Sequence, residues 1–469
     1  MIVMKFGGSS LATGERIAQA AALVVRYGDR RPVAIVSAMG GVTDALLGIA
    51  RLAVQGRRAL PSVEEHLGAL RERHQVALAA LGATEAAAAA ETAIERSFVE
   101  LHEICTGIAL LGELSPRSID AVSGYGEKLC APLMAAALSG LGRRAVAISA
   151  EELLLTDANH GHAHPIMAAS RLRSQDRLLP LLEQGTTPVI TGFIGATEDG
   201  VTTTLGRNGS DYSASIFGAL LGVEEVWIWT DVDGILSADP RAVAGARSLP
   251  TLSYAEAAEL TYFGSKVLFP VAILPVVEAG IPLRIVNTFN PDHPGTLLVR
   301  EPEPNPHAVK AVTAIRELAM VTVQGVGLSG LVGAAAQVFG AVARAKVNVL
   351  MISQASSESN ICFVVSHADL PATEATLRQE LADQLTRHEL DAVAARAPVA
   401  IVTVVGAGMA GTPGVAGRLF SSMGAALINI MAIAQGSTEY SISFVVDDAQ
   451  AADAVLAAHR EFVEEDDGQ

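Results

Sequence analysis

The chain contains 469 residues, half of them hydrophobic, and its 50 acidic and 33 basic side chains give a formal net charge of −17. This length predicts two or three domains with an ample core. The acidic balance and the lack of a basic stripe argue against a nucleic-acid partner. The most apolar window, residues 397–410, contains proline and glycine and is too short to span a bilayer, so no membrane partner is expected.

The start of the chain, MIVMKFGG, has no charged leader followed by an apolar run, so no signal peptide is expected. The three cysteines, Cys105, Cys130 and Cys362, lie far apart among apolar neighbours. That pattern is typical of buried thiols in a reducing compartment. The sequence therefore predicts a cytoplasmic protein with neither a disulfide framework nor a zinc site.

A short buried strand is predicted over residues 2–6, followed by a glycine turn and a helix. This order can form a phosphate cradle, with Lys5 at the strand end as a cation. An ordinary strand–turn–helix unit with a surface lysine is the alternative. A second apolar strand over residues 32–38 also ends in a small-residue loop before a helix. Two such units predict a parallel sheet that binds ligands at its carboxyl edge.

Two long helical regions, residues 62–81 and 84–113, predict a helical hairpin without evident chemistry. A strand is then predicted over residues 120–123, before a helix that begins beside Glu127. This carboxylate would receive the amino group of a substrate, or would only interact favourably with the helix dipole. The later histidine cluster lies in a loop without cysteine, so no metal site is predicted there. Its members are His160, His162 and His164.

The stretch TTTLGRNGSDYSAS, residues 202–215, has the most informative local chemistry. It predicts the end of a strand, a glycine loop and a helix capped by Ser210 or Asp211. Free N–H groups at a helix start attract anions, and Arg207 adds a planar fork suited to carboxylate or phosphate. An ordinary surface turn is the alternative. Together these groups favour a site for an anionic substrate.

A further strand over residues 225–230 leads into Asp231 and Asp233, a pattern that suits magnesium-nucleotide chemistry or a simple turn. Lys266, in a later helical stretch, is a second candidate cation for phosphate. Residues 290–306 contain five prolines and are predicted to be a linker.

The last part of the chain contains an internal repeat with an offset of 81 residues. Residues 323–339 align with 404–420, and residues 351–365 align with 432–446, with eight identities in the last fifteen pairs. Each copy predicts strand, glycine-rich turn, helix, two strands and helix. Two similar pockets are therefore expected. The residues in equivalent polar positions are Asn348 and Asn429, and Gln354 and Gln435.

Six motifs along the chain resemble those of the aspartokinases and occur in the same order as in that family. The paired tail resembles the two ACT domains of that family, so the resemblance covers essentially the whole chain. Within the family, the chain is most similar to the kinase half of the bifunctional aspartokinase–homoserine dehydrogenases. The motifs are KFGGSS (from Lys5), GE (from Gly126), LGRNGSDYSA (from Leu205), WTDVDGI (from Trp229), DPR (from Asp239) and FGSKVL (from Phe263).

The resemblance implies an α/β fold: a three-layer α/β/α amino-acid-kinase domain over residues 1–300, then two α+β ACT domains of βαββαβ order. These would cover residues 301–385 and 386–469, and strands can be exchanged between them. The implied reaction uses ATP with Mg²⁺ to convert L-aspartate into 4-phospho-L-aspartate, the first step towards lysine, threonine and methionine. Because the chain stops where the dehydrogenase would begin, that second activity is expected to be absent.

The family's pattern also implies roles for individual residues. The catalytic residues would be Lys5, Asp211 and Lys266. The substrate-binding residues would be Thr43, Glu127, Arg207 and Ser210. The ATP-binding residues would be Lys5, Gly7, Gly8, Ser9, Thr230, Asp231, Leu236, Arg241 and Lys266. The allosteric residues would be Asn348, Gln354, Asn429 and Gln435.

Two departures from the family's pattern affect these expectations. Leu236 stands where many relatives have tyrosine, which would weaken packing on the nucleotide. Cys130 stands where serine is usual, which puts one small polar contact in doubt.

Two alternative functions also remain: a kinase for another small acid such as glutamate or acetylglutamate, and a catalytically silent amino-acid sensor.

Regulation by an amino acid, through a homodimer or homotetramer built on the ACT domains, is also implied. Lysine would need an acidic partner, whereas threonine would suit a neutral donor–acceptor. Threonine-sensitive relatives resemble the QxSSE pattern that begins at Gln354, so threonine is favoured over lysine.

Overall fold

The computed structural model describes residues 1–262, 270–302, 308–325, 333–354 and 360–464. They form two compact units that alternate along the chain. Among the described residues, the first unit contains 1–235, 250–254 and 270–302, and the second contains 236–249, 255–262 and all those from 308 onward.

The described strands and helices follow in chain order. The strands are β1 (Ile2–Phe6), β2 (Pro32–Val36), β3 (Ala145–Ile148), β4 (Thr187–Thr191), β5 (Ile194–Ala196), β6 (Thr202–Thr204), β7 (Glu225–Thr230), β8 (Thr251–Ser253), β9 (Leu283–Asn287), β10 (Thr296–Val299), β11 (Ala311–Gln324), β12 (Met351–Gln354), β13 (Asn360–Ser366), β14 (Ala392–Val405), β15 (Ala432–Gln435) and β16 (Ser441–Asp447). The helices are α1 (Gly14–Arg26), α2 (Val42–Ala53), α3 (Leu60–Ala79), α4 (Glu85–Leu111), α5 (Pro116–Ser123), α6 (Tyr125–Gly140), α7 (Met167–Glu183), α8 (Gly209–Leu221), α9 (Tyr254–Tyr262), α10 (Leu274–Ala279), α11 (Ala334–Arg344), α12 (Leu370–Glu380), α13 (Ala382–Thr386), α14 (Val415–Ala425) and α15 (Ala451–His459).

The first unit is built on an eight-stranded sheet in the order β3-β4-β2-β1-β7-β9-β10-β8. The first six strands in this order are parallel to one another, and β10 runs antiparallel to β9. The central strands β1, β2 and β7 are apolar along nearly their whole length, as expected of a sheet covered on both faces. The α/β fold class predicted from the sequence is confirmed.

Alternation along β1 separates the two faces of this sheet. Ile2, Met4 and Phe6 join a large apolar cluster with helices α1, α2, α3, α4 and α6. Lys5 points to the other face, where it meets α8. The helical hairpin α3–α4 is therefore part of the core on one face, and the charged residue is directed to the opposite one.

Two local predictions in the first unit were wrong. Residues 120–123, predicted as a strand, lie in helix α5, which begins with Ser115 as its N-cap and proline at its first turn. The proline-rich stretch 290–306, predicted as a linker, contains β10, which pairs with β8 and β9. Proline content alone did not reveal this strand because the prolines flank the four paired residues.

The second unit is built on a six-stranded sheet in the order β12-β13-β11-β14-β16-β15. The three strands of the first repeat and its helices α11 and α12 each have a counterpart 81 residues later, for example β12 with β15 and α11 with α14. Two apolar clusters, one for each repeat, cover the sheet beneath the helices. The repeat predicted from the sequence is therefore present as repeated elements.

The two long strands β11 and β14 join the repeats into one sheet. Residues 311–315 pair with 401–405, and residues 320–324 pair with 392–396, with an irregular register between them. The first half of each long strand thus pairs with the second half of the other. This pairing gives each βαββα repeat a further strand and covers what would otherwise be an exposed edge. The proposed ACT boundaries, 301–385 and 386–469, stay a prediction.

Within the described residues, none of the helices is both long and apolar enough to cross a membrane.

Candidate active site

Loops from several parallel strands meet at the carboxyl edge of the first sheet. The backbone N–H of Gly7 donates to Trp229 O at 3.3 Å, and that of Ser37 donates to Phe6 O at 3.1 Å. A Cβ on Gly8 would lie only 3.1 Å from the carbonyl oxygen of Ala38. The absence of a side chain at Gly8 therefore allows the loops after β1 and β2 to approach closely. The edge is where an open parallel sheet binds its ligands.

Lys5 and Asp211 form a buried ion pair at this edge. The Nζ atom of Lys5 lies 2.5 Å from Oδ1 of Asp211, and the two residues are 8% and 7% exposed. Asp211 lies in the first turn of α8, next to the half-buried amide of Asn208, whose Nδ2 is 3.5 Å from its Oδ2. The carboxylate thus fixes the ammonium group of Lys5 beside the glycine turn, where Gly7 lies against it.

Glu127 is a buried carboxylate with one oxygen unused. It lies in the first turn of α6 and is 3% exposed. Its Oε1 accepts a hydrogen bond from the Ala38 N–H at 3.0 Å, whereas Oε2 has no hydrogen-bond partner among the described residues. Burial raises the pKa of Glu127 to about 8, against the opposing effects of backbone N–H donors and the charge of Lys5. An unpaired buried oxygen of this kind is suited to a cationic ligand.

Cys130, one turn after Glu127, is completely buried. Burial raises the pKa of its thiol, and the Glu127 carboxylate raises it further. The thiol therefore stays protonated and acts as a small apolar group at this position.

The loop after β6 presents Arg207 to solvent. Helix α8 begins at Gly209, and its N-cap is Asn208 in the left-handed conformation, with φ of 57°. The prediction that Ser210 or Asp211 caps this helix was wrong, since both lie buried in its first turn. Arg207 is exposed and makes no hydrogen bond or ion pair with any residue that the structure describes. Its guanidinium group is therefore available to a ligand.

The remaining substrate and phosphate candidates lie on neighbouring loops. Thr43 is half-buried in the first turn of α2. Gly7, Gly8 and Ser9 follow β1 directly, and the Ser9 carbonyl accepts a hydrogen bond from Arg16 at 2.7 Å. The backbone of the glycine turn, Gly7 to Ser9, therefore lies next to Lys5.

The proposed nucleotide residues fall into three groups. Thr230 ends β7 and Asp231 follows it in the first unit, with the Thr230 hydroxyl 3.2 Å from Asp231 Oδ1. Leu236 and Arg241 belong to the second unit. Lys266 lies outside the described residues.

Contacts of the neighbouring charged residues limit what they can do. Arg241 is exposed and already pairs with Asp239, with its Nη2 at 2.7 Å from Oδ2. A hydrogen bond from Arg241 lowers the pKa of Asp239. Asp233 accepts hydrogen bonds from the side chains of Asn287 at 2.9 Å and Asn290 at 3.1 Å. Asp233 thus holds the loop after β9 and was not recognisable as a structural residue from the sequence.

The four allosteric candidates are exposed and equivalent by the repeat. Gln354 ends β12 and Gln435 ends β15, and Asn348 and Asn429 precede those strands. Although β12 and β15 are at opposite ends of the sheet order, the hydroxyl of Ser353 donates to the carbonyl of Ile433 at 3.0 Å. The two strands therefore lie side by side.

No group of three or more His, Cys, Asp or Glu residues in the described part of the chain could hold a metal ion. Two of the three histidines in the sequence cluster pair with different carboxylates. His160 bonds to Asp120 at 2.8 Å and His164 bonds to Asp157 at 3.0 Å. Asp120 was missed from the sequence because its importance depends on burial and on partners distant in the chain.

Comparison with known families gives two matches. A model of the amino acid kinase family matches residues 1–287. A model of the ACT domain matches residues 321–381 and again residues 402–462, at the offset of the repeat.

Among curated proteins, the bifunctional aspartokinase/homoserine dehydrogenase 1 of Zea mays is 36% identical over 98% of this chain and 50% of its own length. Aspartokinase 2 of Arabidopsis thaliana is 32% identical over 99% of this chain and 84% of its own length. The chain thus spans about half the length of the bifunctional relatives that it matches.

Two crystal structures of E. coli aspartokinase III are similar to the chain over nearly its whole length. The T-state complex with lysine and aspartate has a TM-score of 0.81 at 28% identity and covers 99% of both chains. The R-state complex with aspartate and ADP has a TM-score of 0.78 at 29% identity and covers 98% of this chain and 99% of the other.

Proposed function

The chain belongs to the aspartokinases, within the amino acid kinase family, and we propose that it transfers the γ-phosphoryl group of ATP to the side-chain carboxylate of L-aspartate. The product would be 4-phospho-L-aspartate, the first intermediate on the route to lysine, threonine and methionine. Aspartate and ADP are the ligands of one similar solved structure.

The observation that carries this proposal is the set of three buried ionisable side chains at the carboxyl edge of the sheet. Lys5 is paired with Asp211, and its charge opposes the rise in the pKa of Glu127, whose second oxygen is unpaired among the described residues. Aspartate carries one ammonium and two carboxylates. Glu127 would bind the ammonium, and Arg207, in the loop before α8, would bind a carboxylate through its planar fork.

The proposed reaction needs no base from the protein. An ionised carboxylate is already a nucleophile, so positioning and charge stabilisation supply most of the rate enhancement. Lys5 would stabilise the charge that develops on the transferring phosphoryl group, and Asp211 would keep its ammonium in place. Thr43 and Ser210 would help to place the amino acid.

For the nucleotide, we propose binding by the glycine turn, Gly7 to Ser9, together with Thr230, Asp231, Leu236 and Arg241. Lys266 would add a second cation. Mg²⁺ would enter bound to the phosphates, because magnesium at such sites uses few protein ligands and several phosphate or water oxygens.

A coupled assay of ADP release tests the proposal. The purified chain should release ADP with L-aspartate and much more slowly with L-glutamate or N-acetyl-L-glutamate. Preference for either of the latter would identify a kinase for another acid. No release with any of the three, together with binding of an amino acid, would identify a silent sensor.

The pKa of Glu127 leads to a prediction about pH. Only the ionised carboxylate would attract the substrate ammonium, so kcat/KM for aspartate should fall as the pH drops below about 8. The limiting slope would be about tenfold per pH unit. The profile for ATP serves as the control and should lack this limb. In Glu127→Gln, kcat/KM should be low and the limb for aspartate should disappear.

Glu127→Gln, which should lower activity, should raise the stability of the fold at high pH. Because the folded-state pKa of Glu127 is raised from its ordinary 4.5 to about 8, its contribution to stability is lost as the pH rises through that range. Glu127→Gln should therefore raise the free energy of unfolding above pH 8, by ~1 kcal/mol or more. Denaturant unfolding at pH 6 and pH 9 measures this, and a variant less stable than the wild type at pH 9 would contradict the assignment.

We propose that an amino-acid effector acts through the second unit and shifts the balance between two arrangements of a homodimer or homotetramer. Threonine is the favoured effector. Gln354 and Gln435 are exposed neutral amides at equivalent strand ends, suited to a hydroxyl and an α-amino acid. Asn348 and Asn429 would complete the two equivalent sites. Lysine, the ligand of a similar solved structure, is the competing effector.

Titration of activity with each amino acid separates the two effectors. Gln354→Ala or Gln435→Ala should raise the threonine concentration for half-inhibition by about tenfold, with uninhibited kcat preserved. Gln379→Ala, an exposed glutamine on α12, is the matched control and should behave as wild type. Inhibition by lysine alone, or unchanged threonine inhibition in both variants, would rule out this part of the proposal.

A further inference from the structure

Asp120 is the acceptor at the centre of a buried network in the first unit. Its side chain is fully buried in α5. Oδ1 accepts a hydrogen bond from Thr204 Oγ1 at 2.6 Å. Oδ2 accepts from Nδ1 of His160 at 2.8 Å and from the backbone N–H of Gly161 at 3.0 Å. A carboxylate with three donors, shielded from water, holds its partners firmly because charge-assisted hydrogen bonds are short and strong.

The hydrogen-bond partners of Asp120 lie in two segments, and both segments adjoin the loop that carries Arg207. Thr204 is the last residue of β6, three positions before the arginine. On the other side, the loop with Gly161 and His162 packs on Gly206. A Cβ on Gly206 would lie 2.6 Å from Nδ1 of His162 and 2.9 Å from the Gly161 carbonyl oxygen. Gly206 also has φ of +80°, so both its backbone conformation and the close approach of this loop favour glycine at this position.

The network gives the histidine cluster a structural role. His160 bonds to Asp120, and His162 lies against Gly206. His164 bonds to Asp157, whose carboxylate also accepts the His164 N–H at 2.9 Å. The cluster therefore shapes the loop that supports Gly206.

All three residues of β6 are held by their side chains. Thr202 donates to Glu151, Thr203 shares a hydrogen bond of 2.6 Å with Thr156, and Thr204 donates to Asp120. Arg207, in contrast, has no partner of its own among the described residues. Its position is therefore set by its backbone and not by its side chain.

We propose that Asp120 is a positioning residue for Arg207, acting through Thr204 and through the loop from His160 to His162. The inference rests on the proposed function, in which Arg207 binds a carboxylate of the substrate. If the loop were free to move, the guanidinium would have to be ordered on binding, and affinity for the substrate would fall.

The first test separates substrate affinity from other effects. Thr204→Val keeps the shape of the side chain and removes only the hydroxyl that donates to Asp120. We expect KM for aspartate to rise about tenfold, with KM for ATP unchanged. Thr204→Ser restores the hydroxyl and should restore KM. Asp120→Asn, which loses the charge, should have at least the effect of Thr204→Val.

Thr203→Val is the matched control. Thr203 is also fully buried in β6 and hydrogen-bonded, but its partner is Thr156 and not Asp120. The KM of Thr203→Val for aspartate should stay near that of the wild type. An equal rise in Thr203→Val and Thr204→Val would show that the effect comes from general weakening of β6, and would overturn the proposal.

The second test does not depend on activity. Trypsin cleaves after exposed arginines, and cleavage after Arg207 requires local opening of its loop. Mass spectrometry under native conditions should show cleavage after Arg207 about tenfold faster in Thr204→Val than in wild type, with no change after Arg173 on α7. A wild type inactive towards aspartate would refute the proposed function but leave this measurement valid. Unchanged cleavage in both Thr204→Val and Asp120→Asn would overturn the positioning role.

Discussion

Replacing Arg207 with alanine should lower kcat/KM for aspartate by about a hundredfold or more, with the fold intact. The side chain is exposed and makes no hydrogen bond or ion pair with another described residue, so its removal should not disturb packing. What is lost is a planar pair of donors for a substrate carboxylate. Steady-state kinetics with varied aspartate measures the loss, and thermal unfolding checks that the melting temperature stays near that of wild type.

Two companion variants make this result specific. Arg207→Lys keeps the charge but cannot form two parallel hydrogen bonds, so it should recover only part of the activity. Arg173→Ala removes another exposed arginine, on α7, and should change neither kcat nor KM for aspartate. Ordinary turnover of aspartate by Arg207→Ala would show that this arginine does not bind the substrate.

Replacing Lys5 with methionine should lower kcat by about a thousandfold while changing KM for aspartate much less. The ammonium of Lys5 is needed most when charge develops on the transferring phosphoryl group. Its fixed place, 2.5 Å from Asp211 at the end of β1, means that little reorganisation is needed at that moment. Rapid-quench measurement of the phosphoryl-transfer step, with steady-state KM values, distinguishes a change in kcat from a change in binding.

The Lys5 variant should also be less stable. It leaves the buried carboxylate of Asp211 without its cation, which typically costs about 3–5 kcal/mol. Arg284→Met is a useful control, because it breaks an ion pair with Glu225 at the start of β7, away from the carboxyl edge. It should lower stability without lowering kcat. A pure effect on KM in Lys5→Met would show that Lys5 acts on the ground state and not on the transition state.

Several features of this protein could be determined from the sequence because they depend on neighbouring residues. Apolar runs such as residues 2–6 and 225–230 predicted the central strands, which the structure has as Ile2–Phe6 and Glu225–Thr230. Parallel strands that each end in a glycine loop predicted functional residues at one sheet edge. The repeat at an offset of 81 residues predicted two equivalent sets of elements.

Tertiary structure alone decided which distant residues meet. Lys5 and Asp211 are on different elements, and their contact depends on the packing of α8 against β1. The pKa of Glu127 depends on burial, which its position at a helix start does not reveal. Asp120 is an extreme case, since its segment was predicted to be a strand and its partners lie 40 to 84 residues away.

The same distinction applies to the second unit. Local patterns predicted strand, helix, two strands and helix within each repeat, but not the last strand of the βαββαβ order. The structure shows that each long strand, Ala311–Gln324 and Ala392–Val405, pairs with the far half of the other. Local preferences determine where a strand or helix forms. Which edges pair depends on the free energy of burying them together, and that is a property of the whole fold.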